Sequence, residues 1–104
     1  MIKKLTKEQV GNKTHMSSFK DRIGITYEEL IDLLGEPTFI GSGDNKVQFE
    51  WVVMYKGEVF TIYDWKTYDR EYTINELDTF RVGGHSYAGD FINELFKLTP
   101  NIKE

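Results

Sequence analysis

The chain of 104 residues contains no cysteine, which excludes disulfides and thiolate chemistry. It has two histidines, His15 and His85, far apart in sequence, and no grouping of His, Asp and Glu has the spacing of a metal site. No nucleophile elbow is present. Glu50, Asp64 and Asp69 are available as a carboxylate pair, but no spacing demands that they meet. No enzyme, metal or cofactor is therefore expected. No apolar run approaches the ~18 residues that span a bilayer. The basic start Met1-Ile2-Lys3-Lys4 lacks the apolar segment of a signal peptide, so a cytoplasmic protein without membrane contact is expected. A basic surplus is missing as well. Thirteen basic against 17 acidic residues leave a net charge of −4, which disfavours a general nucleic-acid binder, so no direct sequence-specific nucleic-acid contact is expected, and it suits ordinary solubility.

What the chain does contain is enough for one folded domain. Aromatics make up 14% of it, which argues against disorder. Residues 1 to 22 are polar with scattered apolar positions and read as an N-terminal arm, folded over the domain or used in self-association. Within it, Thr6-Lys7-Glu8-Gln9 has the pattern of a capping box for a short turn ended by Gly11. Residues 23 to 104 form the domain.

Several independent signals predict a helix over Tyr27 to Leu34. Thr26 is its N-cap and Glu29 completes a capping box, while Ile25 and Leu30 take the positions of a hydrophobic staple. Leu30, Ile31, Leu33 and Leu34 supply an apolar stripe. Gly35 is placed for a left-handed C′ residue, and Pro37 forbids continuation. After a turn at Gly41 to Asn45, Val47 to Tyr55 and Glu58 to Trp65 read as a β-hairpin about Lys56-Gly57, with another short strand near Thr38 to Gly41. A two-residue turn pairs Val53 with Phe60 and Trp51 with Ile62, and gathers Val47, Phe49, Trp51, Val53, Phe60 and Ile62 on one apolar face. A bulged turn would instead group Trp51 with Tyr63 and Trp65. The first register separates apolar from mixed residues better and is preferred. Lys66 to Asp78 reads as a long aromatic and charged connection, and Thr79 to Val82 as a strand. The last helix is expected from Tyr87 to Leu98, capped by Ser86, with Ala88, Phe91, Ile92, Leu95 and Leu98 buried. The order predicts an α+β fold: a small antiparallel sheet of three or four strands with a central hairpin, backed on one face by an N-terminal and a C-terminal helix.

Two places have the chemistry of a binding site. Arg81-Val82-Gly83-Gly84-His85-Ser86 reads as a strand that turns on two glycines into a helix. A helix start carries unpaired N–H donors and partial positive charge and can hold an anion, with Arg81 and His85 adding charge or stacking. The plainer alternative is a tight structural turn with Ser86 as a cap. Ile62-Tyr63-Asp64-Trp65-Lys66 puts Tyr63 and Trp65 on one strand face, where rings can stack on a base or anchor a partner, with Lys66 beside them for a phosphate. Packing against the core or the arm is the alternative there.

Two resemblances follow from these motifs. Residues from Thr26 to Thr38, with Leu34-Gly35-Glu36-Pro37 and the strand bearing Trp51, resemble BamE-like and beta-lactamase-inhibitor-like modules over about Ile25 to Trp65. That likeness implies a small sheet backed by helices whose open face, in the inhibitors, grips another protein. Leu34-Gly35-Glu36-Pro37, Phe49-Glu50-Trp51, Ile62-Tyr63-Asp64-Trp65-Lys66 and Val82-Gly83-Gly84-His85-Ser86 together resemble small bacteriophage accessory proteins over about Gly24 to Phe96. Such proteins often counter host immunity by binding. The resemblance implies counter-defence by binding a signalling nucleotide or a defence protein, and together with the two candidate places it leads to the expectation of a non-enzymatic protein that sequesters a small cyclic nucleotide signal through Tyr63, Trp65, Lys66, Arg81, Gly83, Gly84, His85 and Ser86, at a homo-oligomer interface. The alternative is a protein-binding inhibitor of a host defence enzyme such as a CRISPR nuclease, anchored by Tyr63, Trp65, Tyr68 and Tyr72.

Overall fold

A computed structural model of the chain describes residues 2–11, 13, 17–40, 49–64 and 79–98. These form a six-stranded antiparallel sheet and three helices. Strand β1 (Ile2–Lys4) leads to the single-turn helix α1 (Lys7–Val10), then strand β2 (Ser18–Gly24) and helix α2 (Tyr27–Leu34). Strands β3 (Phe39–Ile40), β4 (Phe49–Tyr55), β5 (Glu58–Tyr63) and β6 (Thr79–Gly84) follow, and helix α3 (Gly89–Leu98) ends the described chain. The α+β class and antiparallel sheet are as expected, but three or four strands is too few. The additional strands are β1, within residues 1 to 22, and β2, which begins there and runs on to Gly24, and their alternation is too polar to announce strands (β2 reads Ser-Phe-Lys-Asp-Arg-Ile-Gly).

The strand order is β1-β4-β5-β6-β2, with β3 also paired to β4. Strands β1 and β3 share one edge of β4: Ile2 to Lys4 pair with Tyr55 to Val53, and Phe39 and Ile40 pair with Glu50 and Phe49. Between these two short ladders the Val52 backbone is served differently. Its carbonyl accepts from Leu5 N–H at 2.8 Å, and its N–H donates to the Thr38 hydroxyl at 3.1 Å.

Local chemistry accounts for the elements. In α2 the Thr26 hydroxyl accepts from Glu29 N–H at 3.1 Å, and the Glu29 carboxylate accepts from Thr26 N–H at 3.0 Å, a complete capping box. Thr6 and Gln9 repeat the device at α1. Gly35 takes positive φ at the end of α2, though with an extended ψ of −160° rather than the left-handed helical value. The hairpin turns on Lys56 (φ 51°) and Gly57 (φ 80°), the sign pattern of a type I′ turn that matches strand twist. Tyr55 consequently pairs with Glu58, Val53 with Phe60 and Trp51 with Ile62, the preferred register.

That register builds the main core. Phe49, Trp51, Val53, Tyr55, Phe60, Ile62, Phe80 and Val82 present one sheet face to Leu30 of α2 and to Phe91, Ile92 and Leu95 of α3. The Phe60 and Phe91 rings stack with centroids 4.6 Å apart, and Trp51 meets Tyr27 and Phe80 edge-on. The Trp51 indole N–H donates to the Gly35 carbonyl at 2.9 Å, tying the end of α2 to the middle of β4. The helices are not confined to this face. On the opposite one, Leu5 and Val10 pack with Val52, Phe39, Met54 and Val59, so α1 and the chain before it cover the hairpin end of the second face.

Candidate ligand-binding face

The other half of the second face carries the functional groups. Successive pairings place Phe39, Glu50, Tyr63, Arg81 and Arg22 in one row across five strands. With strands about 4.8 Å apart, Glu50 to Arg22 spans about 14 Å. The Arg81 guanidinium carbon lies 5.0 Å from the centre of the Phe19 ring, a cation–π contact on the same face. Phe19 itself is 48% exposed on β2, an edge strand.

Electrostatics couple the row. Burial pushes the Tyr63 phenol above its ordinary range; the Arg81 charge opposes that shift and the Glu50 charge adds to it. Burial likewise raises the Glu50 carboxyl. Asp64, by contrast, is built into the fold: it is buried and its Oδ1 accepts from Phe49 N–H at 2.8 Å, holding the start of β4 against the end of β5.

The expected glycine turn is a correction. Gly83 and Gly84 lie inside β6, without positive φ, paired with Thr61 and Phe60. Their missing side chains serve packing. A Cβ on Gly83 would stand 2.8 Å from Thr61 Oγ1 and 3.3 Å from the Tyr63 ring, and one on Gly84 would stand 2.9 Å from the Phe60 ring. The strand therefore runs past Val82, where the sequence reading ended it.

Ser86 does not cap the last helix. That helix begins at Gly89, and its first hydrogen bond runs from Ile92 N–H to the Ala88 carbonyl at 2.9 Å. The Tyr87 ring folds back into the space that a Cβ on Gly89 would occupy, so the first residue of the helix carries no side chain there. The Ser86 hydroxyl instead donates to the Glu58 carboxylate at 2.6 Å, and His85 Nε2 faces the Lys13 carbonyl at 2.6 Å as a donor. Carboxylates already stand here: Glu58 on Ser86, and Asp90 in the first turn of α3.

The sequence-predicted residues thus fall into two groups. Tyr63 and Arg81 meet, opposite one another on the second face, with Gly83 beneath the Tyr63 ring. His85 and Ser86 sit at the hairpin end beside Glu58, five residues down β5 from Tyr63, or about 16 Å of strand. Trp65, Lys66, Tyr68 and Tyr72 lie outside the described residues. Sequence reasoning missed Phe19, Arg22 and Glu50 as members of the site. Glu50 was legible only as one polar residue on the mixed hairpin face, while Phe19 and Arg22 join through the long-range pairing of β2 with β6.

Among the described residues no three ligating side chains converge as a metal site, and no helix is long and apolar enough to cross a membrane. No family model matches this chain, and no significant match exists among curated proteins or solved structures.

Proposed function

We propose that this protein is a non-enzymatic binding module that takes up a small nucleotide on the second face of its sheet. The observation that carries the reading is the adjacency of Tyr63, Arg81 and Arg22 in one cross-strand row. An aromatic ring offers a stacking platform for a base, and guanidinium groups hold phosphate through paired N–H donors. A net charge of −4 does not oppose this, because an anion responds to the local field of the row. The phosphate-holding role moves from Ser86 and the helix start to Arg81 and Arg22, since Glu58 and Asp90 already supply negative charge at the former place. The setting, a bacteriophage protein that sequesters a cyclic nucleotide immune signal in the host cytoplasm, comes from the sequence resemblance alone. A thermal-shift screen against cyclic di- and trinucleotides tests it. A ligand at 100 times its Kd adds about 2.7 kcal/mol to the folded state, several degrees for a domain of this size. The Arg22→Ala/Arg81→Ala double variant should lose the shift; an unchanged shift would remove this face from consideration.

A second reading, a protein-binding inhibitor of a defence enzyme, is favoured by the exposed Phe19 ring beside Arg81. Aromatic and arginine side chains together are the usual anchors of protein interfaces. Phe19→Ala leaving capture of a defence enzyme intact would count against it.

A further inference from the structure

We infer that the row selects guanine nucleotides, with the Glu50 carboxylate accepting the two N–H donors of the guanine edge while Arg81 and Arg22 hold the phosphates. The inference rests on the nucleotide reading above and specifies its ligand. Glu50 is half-buried on β4, and among the described residues no group donates a hydrogen bond to its carboxylate. A carboxylate held partly out of water is costly unless donors meet it, and the charge of Glu50 already acts on Tyr63 beside it. Its desolvation, seen in the raised pKa, is what a matching donor pair would relieve.

Guanine matches the requirement best among the common bases. Its N1–H and N2–H₂ lie side by side and meet the two oxygens of one carboxylate, whereas adenine sets a ring-nitrogen acceptor beside its amino group and would face Glu50 with a lone pair. Spacing agrees. Arg81 is two strands from Glu50 and Arg22 three, about 10 and 14 Å away, with Tyr63 between them. A nucleotide laid along the row puts its base edge on Glu50, its ring system over Tyr63 and its phosphates among the guanidinium groups.

Calorimetry on the full chain with GMP, GDP and cyclic di-GMP, against IMP and the corresponding adenine nucleotides, tests this. The expected result is a preference of about tenfold or more for guanine over adenine, and weaker binding of IMP, which lacks the N2 amine. Glu50→Gln should abolish the preference without lowering the melting temperature. Equal binding of guanine and adenine nucleotides, or a preference that survives Glu50→Gln, would overturn the guanine assignment. If Arg81→Ala still abolished that binding, the nucleotide reading would stand. No binding of any nucleotide would overturn both.

Discussion

The Thr38 hydroxyl donates to the Leu5 carbonyl at 2.9 Å, and so joins the N-terminal segment to the chain that follows α2. The same oxygen accepts from Val52 N–H, so one buried side chain bridges the gap between the β1 and β3 ladders on the edge of β4. Thr38→Val keeps the shape and removes both bonds, leaving a buried N–H and a carbonyl unpaired. Each such loss costs about 1–3 kcal/mol. Chemical denaturation should show a lower midpoint for Thr38→Val, and Thr38→Ser should retain most of the stability. Equal stability of Thr38→Val and the parent would show that water replaces the hydroxyl.

Gly83 and Gly84 should tolerate no side chain. A Cβ on Gly83 meets Thr61 and the Tyr63 ring, and one on Gly84 meets Phe60, which is stacked on Phe91. Either alanine variant overpacks a filled interior, at about 1–3 kcal/mol. Thr61→Ala should partly rescue Gly83→Ala and leave Gly84→Ala unaffected. Thermal melts of the two singles and the two doubles measure this; a tolerated Gly84→Ala would mean that α3 can withdraw from the sheet.

Glu50 should make the fold less stable at neutral than at acidic pH. Its folded pKa is raised above the ordinary 4.5 by burial, so the ionised form is disfavoured in the folded state. The penalty is absent below the unfolded pKa and fully present once pH has risen through the folded value. Glu50→Gln should therefore stabilise the protein at pH 7, with the gain vanishing near pH 4. A gain that persists unchanged into acid would assign the effect to packing rather than charge.

Thr26→Ala removes the hydroxyl that accepts from Glu29 N–H at the start of α2. Loss of an N-cap costs about 1 kcal/mol, within a range of roughly 0.5–2 kcal/mol. The melting temperature should fall by several degrees, while Thr26→Ser should behave like the parent. Because Leu30 of the same helix is fully buried, the helix should remain docked in the variant and unfolding should stay cooperative.

What the sequence determined by itself was local. The bounds of α2, its capping box, the positive φ of Gly35, the Lys56-Gly57 turn and the resulting pairing of Trp51 with Ile62 each depend on residues within a few positions of one another. Periodicity also separated the core face of the hairpin from the mixed face. What only the tertiary structure decided required partners distant in sequence. Residues 2 to 4 and 18 to 24 become strands because β4 and β6 offer edges to pair with, and no alternation of their own announces it. Gly83 and Gly84 look like a turn by composition, yet they are strand residues because β5 and β2 pair with them on both sides, and no side chain fits there because Thr61, Tyr63 and Phe60 fill the space. The row of Glu50, Tyr63, Arg81 and Arg22 exists for the same reason: its members are up to 59 positions apart in the chain (22 to 81), and only the register of four strands makes them neighbours.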